Sequence, residues 1–120
     1  MNAEKIASGQ LGLAPAFLET IQAAVERIVA VAHPSKVILF GSYARGDADA
    51  GSDLDLMVVE NEVLDKGQEM LRLYRTVGHI GIGVDLLVYS EKEMEHRGQV
   101  PGTVIYQALR EGKVLYDTST

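Results

Sequence analysis

The sequence predicts a single α/β domain, ordered as α+β, in which a small sheet is flanked by helices. Three observations predict it. The 120 residues suit one compact domain. Hydrophobic residues make up 47% of the chain, enough to build a core. Apolar positions fall alternately at helical spacing and in short β-branched runs, giving the order α-β-loop-β-α-β-α-α-β. The domain is expected over residues 15–120. Residues 1–14 form an N-terminal segment expected to be loosely ordered.

The first helix starts at Pro15: Phe17, Leu18, Ile21, Val25, Ile28, Val29 and Ala32 recur every three or four residues, and Pro34 lies just past the end. Residues 37–40 (VILF) read as a buried strand ending at Gly41. Residues 41–52 read as a loop with a helical turn near Tyr43, Ala44 and Arg45. Residues 53–60 (DLDLMVVE) form a second strand, and residues 63–77 a helix with Val63, Leu64, Met70, Leu71, Leu73, Tyr74 and Val77 on its apolar face. Residues 82–89 (IGVDLLVY) form a third strand. Ser90 followed by Glu93 is a capping-box pattern opening a short helix. Residues 103–110 form another helix with Gly112 as its C-cap, and residues 114–116 a last short strand. Strands two and three are apolar on both faces apart from their acids, so helices are expected to cover the sheet.

Composition excludes several chemistries. The chain has no cysteine, which removes disulfides, thiolate catalysis and cysteine-based zinc sites. His33, His79 and His96 lack metal-ligand spacing, so a histidine zinc site is not expected. Acids outnumber Lys and Arg 17 to 11, for a net charge of −6, which disfavours a nucleic-acid polymer as partner. No stretch approaches the roughly 20 apolar residues that cross a bilayer, and no signal peptide is visible. A cytoplasmic protein with no membrane partner is the expectation.

Three acids carry the chemistry. Asp53 and Asp55 lie two residues apart at a strand start, so both side chains face one way. Carboxylates that close repel unless compensated, and Mg²⁺, which takes oxygen ligands and keeps open positions for phosphates, is one natural compensation. The bland alternative is that Asp53 caps the strand entrance and only Asp55 is unusual. Asp85 sits where a core strand normally places an apolar residue; its bland reading is a strand-end acid facing solvent. Together the three could form the ligand set of a two-metal site, or act partly as base. Ahead of them, Gly41 permits a tight turn and close backbone approach to a ligand. Ser42 can donate to a phosphate, and Arg45 is a planar cation suited to phosphate oxygens, or else a surface salt bridge. Asp47 and Asp49 are read as solvated turn residues, Tyr43 as packing on a helix, and Glu91, Glu93 and Glu95 as a solvated acidic face.

The run Gly41-Ser42-Tyr43-Ala44-Arg45-Gly46 through Ser52-Asp53-Leu54-Asp55-Leu56, with Asp85 on a later strand, resembles the signature of the DNA polymerase β-like nucleotidyltransferase superfamily. The compact chain and its tail from Ala108 to Tyr116 resemble the minimal nucleotidyltransferase (MNT) branch. The resemblance implies a mixed sheet with flanking helices. It implies that Gly41 and Ser42 hold the NTP β- and γ-phosphates, and that Asp53 and Asp55 bind metal. Asp85 would be the third carboxylate, helping to hold the catalytic metal and to deprotonate the acceptor hydroxyl. Two Mg²⁺ ions, ATP as donor and a protein hydroxyl as acceptor follow by the same likeness, with a HEPN-type toxin as partner in a hetero-oligomer. The C-terminal domain that many larger relatives use to bind their acceptor is not expected here, so a partner is expected to supply the rest. Two other functions fit the same residues: a non-catalytic antitoxin that neutralises its partner by binding, and transfer to a small molecule such as an antibiotic, for which the short chain leaves little surface.

Overall fold

The computed structural model describes residues 14–119. Apart from Ala14, the N-terminal segment expected at 1–14 lies outside the described residues. The element order is that read from the sequence: α1 (Pro15–Ala32), β1 (Lys36–Phe40), α2 (Gly41–Arg45), β2 (Leu54–Glu60), α3 (Lys66–Val77), β3 (Val84–Ser90), α4 (Glu91–Arg97), α5 (Val104–Glu111) and β4 (Lys113–Asp117).

The four strands form one mixed sheet in the order β3-β2-β1-β4. β1 is antiparallel to both β2 and β4, and β2 runs parallel to β3. Alternation along each strand divides the core into two faces. Val37, Leu39, Leu56, Val58, Leu86 and Val88 pack beneath α1 and α3 with Ile21, Val25, Ile28 and Leu73. Ile38, Met57 and Val59 pack on the other face against Ile105 and Ala108 of α5, with Leu87, Tyr89 and Met94 at the margin. Helices therefore cover both faces, as the doubly apolar β2 demanded.

β3 departs from expectation. It is an edge strand in which only Leu86 and Val88 are buried. Its hydrophobic residues reach solvent on one side because no strand lies beyond it.

Local chemistry sets the boundaries. Pro15 occupies the first turn of α1, where a missing N–H costs nothing. His33 ends that helix in the left-handed region at φ 47°, with its N–H bonded to the Val29 carbonyl at 3.1 Å. α3 starts at Lys66 rather than near 63, because the Asp65 carboxylate accepts the Gln68 N–H at 3.1 Å and caps the helix there. Val63 then packs on the core from irregular backbone, while Leu64 is left 92% exposed. The Ser90–Glu93 capping box forms as expected. Gly112 caps α5 from extended backbone (φ −75°), not the left-handed region. Its missing side chain serves packing instead: a Cβ there would lie 2.3 Å from the Ala108 carbonyl oxygen and 2.7 Å from Ile38 Cγ2. No helix among the described residues is long and apolar enough to cross a membrane.

Candidate active site

Strand directions gather the sequence-predicted residues at one edge of the sheet. β1 ends there at Phe40. Antiparallel β2 starts there, with Asp55 opposite Phe40. Parallel β3 starts beside it, with Asp55 opposite Asp85. The turn out of β1 delivers Gly41 and Ser42 to the same edge, and Asp53 leads into β2. By strand alternation Asp55 and Asp85 face the α4–α5 side, in line with Met57 and Leu87.

The Gly41 turn is tailored to Asp55. Gly41 adopts φ 74°, which side-chain-bearing residues rarely take, and a Cβ on it would sit 2.1 Å from Asp55 Oδ2. Five residues of helix follow, closed by Gly46 at φ 87°. Tyr43 of this turn stacks on Phe17 of α1 with centroids 5.1 Å apart, which anchors the turn to the body of the domain. Among the described residues the Ser42 hydroxyl makes no hydrogen bond, so it is free to donate outward, while the Ser42 carbonyl accepts from Gly46 and Asp47.

Electrostatics single out Asp55. It is half-buried, and its carboxyl is raised from 3.8 to about 6. Burial contributes most, followed by the charges of Asp85 and Asp53 and a hydrogen bond with Asp85; Arg45 opposes them weakly. Asp85 itself is exposed. Of the two readings of Asp85, the strand-end acid facing solvent describes its place, because Asp85 is the second residue of an edge strand. Asp53 is also exposed, and its Oδ1 lies over Gly83, where a Cβ would come within 2.0 Å. Gly83 thus makes room for Asp53, a relation that the sequence reading of residues 82–89 as a strand did not contain.

Arg45 is held in the salt-bridge arrangement. Its guanidinium donates to Asp47 at 3.2 Å and Glu111 at 3.1 Å, tying α2 to the end of α5. Asp47 is therefore more than a solvated turn residue. The acidic face foreseen on α4 is also partly engaged: Glu93 pairs with Lys66 at 2.7 Å, and Ser35 donates to Glu91. His79 lies exposed in its loop, away from any role here.

The match to known proteins decides what this edge belongs to. Residues 23–120 match the family described as Polymerase beta, Nucleotidyltransferase. The chain belongs to that family. A candidate protein adenylyltransferase of Methanocaldococcus jannaschii is 34% identical over 85 residues, covering 68% of this chain and 77% of the relative. The fold is shared with a crystal structure of a candidate nucleotidyltransferase from Sulfolobus solfataricus, at TM-score 0.61 and 20% identity over 85% of this chain and 81% of that one. It is shared too with a toxin–antitoxin structure containing AMP-PNP, at TM-score 0.52 and 21% identity over 80% of this chain and 73% of that one.

As a nucleotidyltransferase domain, the chain has a donor set whose chemistry fits a divalent cation. Its three acids offer only oxygen, the ligand type of magnesium. The lifted carboxyl of Asp55 marks a site short of positive charge. Among the described residues no three acids or histidines are drawn into a closed metal-ligand cluster. Asp53 turns to Gly83, while Asp55 turns to Gly41 and Asp85.

Proposed function

We propose that this domain transfers a nucleoside monophosphate, AMP from ATP, to a hydroxyl on a partner protein, as an MNT-type antitoxin. The observation that carries the reading is the Asp55–Asp85 pair in register across β2 and β3, beside the Gly41-Ser42 turn. The protein-adenylyltransferase description of a 34%-identical relative supports the reaction class. The toxin–antitoxin fold neighbour with AMP-PNP supports an adenine nucleotide donor and a toxin partner, which we take to be of the HEPN type.

Asp53, Asp55 and Asp85 would hold two magnesium ions, which when bound offset phosphate charge and acidify the attacking hydroxyl. Ser42 donates its hydroxyl to the terminal phosphates, and Gly41 lets them approach the backbone. Arg45 exchanges an acidic partner for a phosphate oxygen. The acceptor oxygen bonds to the α-phosphorus as the bond from that phosphorus to the bridging oxygen breaks. Pyrophosphate leaves with that electron pair, and the hydroxyl proton passes to the Asp85 carboxylate. Asp55 must be ionised to hold a cation, so kcat/KM for Mg²⁺–ATP, which reports the free chain, rises with pH through about 6.

The test uses ATP labelled at one phosphate or another, with Mg²⁺ and the chain's copurified protein partner. Label from the α-position enters protein, and label from the γ-position leaves in pyrophosphate. Label entering protein from the γ-position would replace the reading with a kinase, and no transfer from either would replace it with neutralisation by binding alone.

A further inference from the structure

The far end of β2 carries a second charged constellation. Leu54, Leu56 and Val58 alternate toward α1 and α3, and the next position on that face is Glu60. Glu60 is only 8% exposed, and its Oε2, sealed from solvent, has no hydrogen-bond partner. It forms part of the wall of a surface groove of about 670 Å³ between β2, the loop after it and α3. The start of β2 lies at the other edge of the sheet, and five residues of extended chain separate Glu60 from Asp55 by roughly 17 Å.

The groove carries more acids than bases. Glu60, Glu62, Asp65 and Glu69 line it against Arg72 and Arg75. Arg72 is turned to other partners: it grips Glu69 through two donors at 2.8 Å each and gives a third to the Val31 carbonyl at 3.3 Å. Of the two arginines, only Arg72 pulls on Glu60. Glu60 therefore lies against a second carboxyl, Glu69, which holds Arg72, and burial, a hydrogen bond with Glu69 and the Glu69 charge push Glu60 up to about 8. In this position the Glu60 carboxyl keeps a proton at neutral pH and shares it with Glu69 in a hydrogen bond, a place that a cationic donor can take over. Leu64, 92% exposed at the groove's lip, offers apolar surface next to the charge.

We infer that this groove is a docking site for a protein partner, which inserts an arginine or lysine side chain to pair with Glu60 and lays an apolar neighbour on Leu64. Charge complementarity selects the occupant. With four carboxyls against two arginines the lining favours a cation over an anion, and a guanidinium supplies a donor to the unpartnered Glu60 Oε2 and matches a carboxyl in two-pronged geometry. Only the choice of a protein as source rests on the proposed function; cation capture at Glu60 does not depend on catalysis. Docking here leaves the carboxylate edge open, so a partner held at one end of β2 can present its hydroxyl at the other.

The test is a titration of the ¹⁵N-labelled chain with acetyl-Leu-Arg-Leu-amide, with its citrulline counterpart as the uncharged isostere, and with putrescine as a free amine. The arginine peptide should shift amides of residues 60–76 saturably, release protons at pH 7, and bind at least five-fold more tightly than the citrulline peptide. Glu60→Gln, which mimics the protonated side chain and keeps the fold, should lose that preference. Leu64→Ser should weaken the peptide and leave putrescine unchanged. Equal binding by Glu60→Gln, equal binding of citrulline, or shifts centred on residues 53–55 and 85 would overturn the inference. Tighter binding of putrescine than of the peptide would overturn the protein as occupant. A Glu60→Gln chain that loses the peptide while still binding Mg²⁺–ATP separates this site from the carboxylate edge; failure of the wild-type chain to transfer AMP while it binds the arginine peptide as stated would count against the proposed function alone.

Discussion

At Asp55 a single carboxyl is caught between needs of fold and chemistry. Burial and two neighbouring acids hold its proton up to about 6, while ionisation is what a cation site requires. Asp55→Asn should cut transfer by about 100-fold or more, the scale on which a charge-stabilising active-site group acts. The same change should raise the melting temperature of the metal-free chain at pH 7, because it removes one of three facing charges. The pH dependence has a definite sign. The folded state holds protons on Asp55 and Glu60 above their unfolded values of 3.8 and 4.5, so without ligand it binds more protons than the unfolded chain. Stability from these groups is present in acid and falls as pH rises, through about 6 for Asp55 and about 8 for Glu60. Melting curves of the metal-free chain between pH 4 and 9 should show a decline that Asp55→Asn flattens in its lower part and Glu60→Gln in its upper part. Identical slopes in all three chains would refute this assignment.

Turns and caps decide which elements hold the site. Gly41 is under two constraints at once, a left-handed backbone and a 2.1 Å approach to Asp55 Oδ2. Gly41→Ala should cost about 1–2 kcal/mol from backbone handedness alone, measured by denaturant melts, and should displace Asp55 enough to abolish Mg²⁺–ATP binding. The capping box of α4 is a separate, purely structural device. Ser90→Ala should cost about 1 kcal/mol with transfer unchanged, and an equal loss of activity would tie α4 to the reaction. Most elements were legible because they depend on local chemistry: Pro15, the Ser90–Glu93 pair and the VILF and DLDLMVVE runs each carry their own signal. The start of α3 was not, because Val63 and Leu64 continue a helical apolar pattern and only the Asp65 cap interrupts it. Glu60 was readable and passed over. An acid at the inward position of an apolar strand is the same signal that drew attention to Asp85.

Across the whole molecule, sequence order could show that three acids lie on two strands but not that the strands start side by side. That depends on β2 and β3 being parallel neighbours while β1 runs against β2. It also hid the edge position of β3, which leaves Asp85 in solvent rather than buried. The resulting sheet is polarised, with a carboxylate edge at the start of β2 and an acidic groove at its end. The core between them should carry no function: Leu56→Ala should cost about 2–5 kcal/mol by its cavity, and the surviving folded fraction should keep its affinity for Mg²⁺–ATP. The most direct test of the carboxylate edge is thermal unfolding with ATP, with and without Mg²⁺, on the wild-type chain and on Asp55→Asn. At a hundred times its dissociation constant a bound nucleotide adds about 2.7 kcal/mol. A stabilisation of that size is expected for the wild type only when ATP and Mg²⁺ are both present, and none for Asp55→Asn. An equal shift without Mg²⁺, an equal shift in Asp55→Asn, or no shift with any NTP would contradict a metal–nucleotide site at Asp53, Asp55 and Asp85.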